Sequence, residues 1–222
     1  MKFRHECKHE ISYADMLALR SRLSAVAQRD AHAENGCYHI RSLYFDNLYD
    51  KALREKLDGV NCREKFRIRL YNGDTSLIKL EKKSKINGLC SKESATLTAD
   101  EAQRIADGNT DWMAEDSRLL VNELYCRIKN QGLRPRTVVD YTREPFIFPA
   151  GNVRVTLDYD IRTGLSCTDL LSERCVTVPT GDTIILEVKW DEFLPSVIRD
   201  IIQLGTTRTA AFSKYAACRI YG

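Results

Sequence analysis

Lys65, Arg67 and Arg69 occupy every second position of Lys65-Phe66-Arg67-Ile68-Arg69-Leu70-Tyr71, and Lys79, Glu81, Lys83 and Lys85 do the same in the run that follows. Successive side chains of an extended chain point to opposite faces, so each run reads as a strand with one charged and one apolar face. Arginine supplies planar bidentate donors, lysine a point charge, and glutamate can hold a divalent metal that bridges phosphate oxygens. The chemistry open to such a set is the gripping of a polyanion. Asn87-Gly88 then marks a two-residue hairpin turn. It sets Ile86 opposite Leu89, Lys85 opposite Cys90, Lys83 opposite Lys92 and Glu81 opposite Ser94. Like charges facing each other across a sheet are destabilising. The Lys83 and Lys92 face is therefore either open to water or kept for an anion. One alternating basic strand is ordinarily just a solvated face; recurrence elsewhere decides.

The pattern does recur. Arg4, Glu6 and Lys8 share a face within a strand over 2–11, Arg154 and Asp158 within one over 154–160, and Glu187 and Lys189 within one over 183–190. Thr156 and Asp160 fall on the Arg154 face. Further strands are expected over 37–45 and 137–143. Helices must cover the opposite, apolar faces. Ser12 and Asp15 begin one over 13–28, a short piece spans 48–57, and Thr98 with Glu101 forms a capping box for a helix closed by Gly108. Asp116 or Ser117 caps a longer helix that stops at Gly132, and another follows Pro195. The two helices between 98 and 132 read as an insertion on the outside of the sheet. The expected fold is α+β, a single domain over 1–222, built on a closed antiparallel β-barrel of about eight strands with helices outside. Closure turns the charged faces inward, into a wet tunnel. Buried cations need anions, and the natural partner is a chain of phosphates.

The chain has 222 residues, 43% of them hydrophobic and 29% charged, yet its net charge is only +3. That balance disfavours a broadly basic nucleic-acid surface and makes local clustering the informative quantity. Eight cysteines lie scattered with no CxxC, so reduced thiols are expected and a zinc site is not. The four histidines lack the helical spacing of a metal site. No signal-like segment or membrane-length apolar run occurs, which places the expected location in the cytoplasm with no membrane segment in this chain. Any translocation would then fall to a membrane partner protein.

Read in order, Arg4-His5-Glu6-Cys7-Lys8, Arg41-Ser42-Leu43-Tyr44-Phe45-Asp46-Asn47, Arg67-Ile68-Arg69, Leu80-Glu81-Lys82-Lys83, Tyr141-Thr142-Arg143, Leu186-Glu187-Val188-Lys189 and Phe212-Ser213-Lys214-Tyr215 carry a resemblance. Together they resemble the polyphosphate polymerase domain of the vacuolar transporter chaperone (VTC) family, a branch of the CYTH-like triphosphate tunnel metalloenzymes. The resemblance implies that Lys8, Arg67, Arg69, Lys83, Lys92 and Arg143 grip phosphates. It puts Glu187 at a metal-binding carboxylate, with Glu6 beside it, and Ser213-Lys214 near one tunnel mouth. Arg4, Lys56, Lys79 and Lys189 complete the expected substrate-binding set, Lys56 at a looser spacing. Arg4 stands where the wider superfamily's ExExK has its first Glu, which favours one metal and a more cationic tunnel. The implied reaction transfers the γ-phosphate of ATP to orthophosphate or a growing polyphosphate chain, with Mn²⁺ or Mg²⁺. Hydrolysis of triphosphate or nucleotides in the same tunnel is the first rival, and a non-catalytic polyphosphate-binding module the second. Glu187 could equally be an ion-pair partner of Lys189, and Ser213 a helix cap. Binding to nucleic acid is not expected.

Overall fold

The computed structural model describes residues 3–33, 35–172, 174–204, 208–209 and 211–219; Lys2, expected at the start of the first strand, lies outside them. Eight long strands form: β1 (Phe3–Ile11), β2 (Tyr38–Asp46), β3 (Arg63–Tyr71), β4 (Asp74–Ile86), β5 (Leu89–Leu97), β6 (Arg134–Phe148), β7 (Val153–Thr163) and β8 (Ile184–Trp190). All pair antiparallel in the order β6-β2-β3-β4-β5-β1-β8-β7, and β7 pairs back onto β6. The ring is thus a closed barrel with no open edge among these strands. Asn87-Gly88, both at positive φ, set the β4–β5 register as expected, with Ile86 opposite Leu89 and Lys83 opposite Lys92. The loosest seam is β5 to β1, where among the described residues Phe3 pairs with Ser91 and Arg4 with Cys90.

The apolar faces point outward and are covered by helices. Phe66, Ile68, Leu70, Ile78 and Leu80 pack under α3 (Ala99–Ala106) and α4 (Leu119–Gln131) through Ala102, Ile105, Leu120, Val121 and Leu124. On another side, Phe146, Val155, Leu157, Leu186 and Val188 pack under α1 (Tyr13–Val26) and α5 (Ser196–Ile202) through Met16, Leu19, Leu23 and Ile198. Full burial of each such side chain is worth about 1.5–3 kcal/mol, so the helical jackets are what permit a charged interior. A third cluster joins Tyr38, Ile40, Tyr44, Val139, Tyr141 and Ile185 to Tyr215 of α6 (Lys214–Arg219). It forms an apolar floor, where Tyr44 stacks on Tyr215 at 5.1 Å between centroids and the Tyr215 hydroxyl donates to Asp46 Oδ2 at 2.8 Å.

Local signals set the helix ends. Ser12 with Asp15 and Thr98 with Glu101 both make reciprocal capping boxes, and Gly132 ends α4 in the left-handed region. Three expectations shift. The first helix stops at Val26 because Gln28–Arg29 pair with β6. The longer helix starts at Leu119 with Arg118 as its cap residue; Asp116 still serves that end by accepting the Arg118 N–H at 2.8 Å. Alternation along β7 breaks at Asp160, which adopts a left-handed φ of 48° and is exposed, where the β6–β7 register slips. Asp160 therefore leaves the face shared by Arg154, Thr156 and Asp158.

Candidate functional site: a charged bore through the barrel

The inward faces meet as expected from alternation. Two cavities lie end to end, one of about 340 Å³ lined by residues of all eight strands and by Lys214, the other of about 510 Å³ reaching α2 (Lys51–Leu57). Glu6, Lys8, Lys65, Lys83, Cys90 and Ser213 line both, so the two are halves of one bore.

In the smaller half, each basic group except Lys65 meets a carboxylate. Glu81 is the hub on β4: it accepts Arg67 Nε at 2.8 Å and Lys92 Nζ at 2.9 Å, with Arg69 Nη1 3.8 Å away. Arg67 Nη1 also donates to the Tyr44 hydroxyl at 2.9 Å, while Arg69 donates to Ser42 Oγ at 3.0 Å and the Tyr141 hydroxyl at 2.9 Å. The Lys83 and Lys92 repulsion is thereby resolved, because each ammonium turns to a different carboxylate: Lys92 to Glu81 and Lys83 to Glu6 Oε2 at 2.6 Å. Asp158 is the second hub. It takes Arg143 in a bidentate fork, Nε and Nη2 both at 2.7 Å, and Lys214 Nζ at 2.5 Å. Glu6 and Glu187 form the third, with Lys8 3.6 Å and 3.4 Å from them, Lys189 bridging both and Arg143 Nη2 3.8 Å from Glu187.

These contacts govern protonation. Burial and the facing Glu187 oppose ionisation of Glu6, yet Lys83, Lys8 and Lys189 hold its pKa down at about 2. Burial opposes ionisation of Asp158 too, and Arg143 with Lys214 outweighs it, again to about 2. Glu81 and Glu187 lie well below the carboxylate range for the same reason. Lys8 is pushed upward despite burial, by Glu187, Glu6 and Asp158. Lys65 behaves in the opposite way. Burial, with Lys83, Lys8 and Arg67 nearby, pulls it down to about 7, and no carboxylate among the described residues pairs with it. The Tyr44 phenol falls to about 7 against burial, drawn by Arg67, Lys65 and Arg69.

Of the residues singled out from sequence, Arg4, Glu6, Lys8, Arg67, Arg69, Lys83, Lys92, Arg143, Glu187, Lys189, Ser213 and Lys214 all line the smaller half. Arg4 sits at its rim, where Nε bonds Asp191 Oδ1 at 2.8 Å. Lys56 lines the larger half. Lys79 lines neither; it lies on the charged face of β4 but beyond the bore. The Glu187–Lys189 ion pair exists alongside the cavity placement, and Ser213 Oγ accepts the Ala216 N–H at 3.3 Å while lining both halves. Sequence reasoning passed over Lys65, Asp158 and Glu81 as site residues, and over the phenols of Tyr44 and Tyr141. Alternation had placed Lys65 beside Arg67 and Glu81 beside Lys83, which was the available signal.

Glu6 and Glu187 offer hard oxygen donors from neighbouring strands, Glu6 opposite Lys189 and Lys8 opposite Glu187 in the register. Among the described residues, no three His, Cys, Asp or Glu side chains gather into a cage. That donor set fits Mg²⁺ or Mn²⁺, which are held by one or two carboxylates together with substrate phosphates.

The comparisons with known proteins agree with this geometry. The VTC domain family model matches residues 3–220. The crystal structure of a candidate adenylate cyclase from Bacillus halodurans superposes with a TM-score of 0.51 at 14% identity, covering 85% of this chain and 80% of that one. The PH1819 protein of Pyrococcus horikoshii OT3 gives a TM-score of 0.51 at 13% identity over 96% of both chains. At such identities these two speak for the fold alone. No curated protein matches the chain. The family match over nearly the whole length, on a closed barrel whose bore is lined by paired cations and carboxylates, shows that this chain belongs to the VTC domain family and has the triphosphate-tunnel fold.

Proposed function

We propose that the chain is a metal-dependent polyphosphate polymerase that transfers the γ-phosphate of ATP to a growing polyphosphate chain within the bore. The observation that carries this reading is the asymmetry of the two halves. The smaller is densely ion-paired and suits a triphosphate. The larger, about 510 Å³, continues past Lys65 to Lys56, Arg63 and Lys85, for which no described carboxylate lies within ion-pair reach. These cations are half-exposed and crowd one another, and partial burial with Arg63, Lys8 and Lys85 nearby pulls Lys56 down to about 8. A phosphate chain longer than a triphosphate supplies the missing anions. Hydrolysis of triphosphate alone would leave that half without a role.

In this mechanism Arg67, Arg69 and Arg143 give planar forks to the donor phosphates, and Lys8, Lys83, Lys189 and Lys214 give point charges. Entry of phosphate competes with Glu6, Glu81, Asp158 and Glu187 for the same cations, so binding exchanges one set of anions for another. A terminal oxygen of the acceptor attacks the γ-phosphorus, the bond to the β-bridging oxygen breaks, and ADP leaves with the electron pair. No protein nucleophile takes part; positioning and electrostatics supply the rate. Mn²⁺ or Mg²⁺ held by Glu187 and Glu6 would offset charge on the transferring group. ATP as donor puts this work on the cytoplasmic side of any membrane, and transport of product would need a partner protein. No helix of the described residues is long and apolar enough to cross a membrane.

Incubation with ATP and Mn²⁺ followed by gel sizing tests the reading. A ladder of polymers, abolished by Arg67→Glu or Lys83→Glu, supports it. Orthophosphate and ADP without polymer would identify a triphosphatase, and tight polyphosphate binding without ATP consumption a binding module.

A further inference from the structure

Between β7 and the two-residue strand Val178–Pro179, the described residues form a strap that packs Cys167, Leu170, Leu171 and Cys175 onto the apolar cluster under α3 and α4. Its start is fastened to β6, and its later part is tied to β2 through Arg41. Gly164 N–H donates to Val138 O at 2.8 Å and Val138 N–H to Cys167 O at 3.0 Å, while Cys175 N–H reaches Ser172 O at 3.3 Å. Ser172 O also accepts Arg41 Nη1 at 2.9 Å, and Arg41 is itself forked onto buried Asp140. Gly164 lies so close to β6 that an added Cβ would stand 3.1 Å from Val138 Cβ. Within this fastened strap Cys175 Sγ lies 2.8 Å from Cys167 Sγ. Both thiols are free, Cys175 buried against Leu170 and the core beneath α3 and α4, and Cys167 half-buried.

We propose that Cys167 and Cys175 are a reversible disulfide-forming site that closes the strap into a covalent ring. The two sulfurs already lie 2.8 Å apart, within reach of forming a bond. Half-exposed Cys167 is the sulfur a small-molecule disulfide reaches first. Its thiolate attacks glutathione disulfide, forming a mixed disulfide and expelling one glutathione thiolate. The Cys175 sulfur gives its proton to solvent and attacks Cys167 Sγ, expelling the second. Two protein thiols are oxidised to one disulfide, and one glutathione disulfide is reduced to two glutathiones. Burial and the neighbouring Cys167 push the Cys175 thiol up to about 12, which makes the second step the slow one. Neither sulfur lines the bore, so the site is separate from the phosphate chemistry.

The test uses the full chain with the two exposed thiols, Cys62 and Cys126, changed to serine and then equilibrated with glutathione disulfide. Trypsin cuts after Arg162 and Arg174, which puts Cys167 and Cys175 on different peptides. The expected result is those two peptides joined, loss of the mass of two hydrogens from the intact chain, and a rise in Tm of about 5 °C that dithiothreitol reverses. Cys167→Ser, at the half-exposed position, should show none of these. A persistent glutathione adduct on Cys167, unlinked peptides, or linkage with no change in Tm would overturn the proposal.

Discussion

Glu81 holds three cations at once: Arg67, Arg69 and Lys92 all lie within 3.8 Å of its carboxylate. Removing one partner of a buried ion pair leaves uncompensated charge and costs about 3–5 kcal/mol. Glu81→Gln should therefore lower stability by about 3 kcal/mol, read from denaturant midpoints; a loss under 1 kcal/mol would show the three cations to be solvated independently. Arg67→Lys keeps the charge but loses the fork that reaches both Glu81 and Tyr44. Under the proposed function it should cost roughly 10–100-fold in kcat/KM, whereas equal rates would remove Arg67 from the machinery. Lys65 contributes to the pH dependence, in a window shared with Tyr44, Lys56 and Lys189. Its folded pKa falls from the ordinary 10.5 to about 7, so between those values the unfolded chain holds the extra proton. Stability of the free protein should rise with pH across that window through this group. Polyanion binding runs the other way: phosphate favours the ammonium, so affinity should fall as pH rises through about 7, with proton uptake visible as a buffer-dependent binding enthalpy. Tyr44, Lys83, Lys8 and Arg67 all face this group. Lys65→Arg in a Tyr44→Phe background should flatten the profile, and an unchanged profile would assign it elsewhere.

At the level of elements, the alternating runs and the Asn87-Gly88 turn were enough to read strands, faces and the β4–β5 register, because each of those is set within a few residues. Height along the bore was not legible. Lys79 has the correct face, yet alternation repeats along the strand without saying where the cavity ends. Glu81 and Asp158 were seen on charged faces but given no site role, because their partners arrive from other elements: Arg67 and Lys92 from flanking strands, Lys214 from α6. Capping boxes were visible because donor and acceptor sit three residues apart. Gly151 is a further local constraint. Its φ of 70° is left-handed, an added Cβ would collide with the Phe193 carbonyl oxygen, and its own carbonyl accepts the Asp191 N–H at 3.1 Å. Gly151→Ala should destabilise by about 2 kcal/mol or more and loosen the rim where Arg4 meets Asp191. A melting temperature equal to wild type would contradict that account.

The whole molecule is a barrel turned inside out relative to an ordinary core, with apolar faces outward under helices and charge within. Closure was inferable from recurrence of charged faces on separate strands. The floor made by Tyr44, Tyr141 and Tyr215 was not, since only tertiary packing brings α6 into the barrel. The helical jacket belongs to the same design: Leu124→Ala, on the buried face of α4, should cost about 2–5 kcal/mol while leaving the bore residues untouched. Stability loss with kcat/KM held within about 2-fold would separate the jacket from the site; a parallel collapse of activity in the folded variant would join them.

The central claim is that the two cavities are one channel occupied by a single phosphate chain. A crystal structure of the protein grown with a defined-length polyphosphate tests it directly. Continuous density should run from Arg143 and Lys214, past Lys65, to Lys56 and Lys85. Density confined to the outer surface, or a bore closed between Lys65 and Lys56, would contradict it.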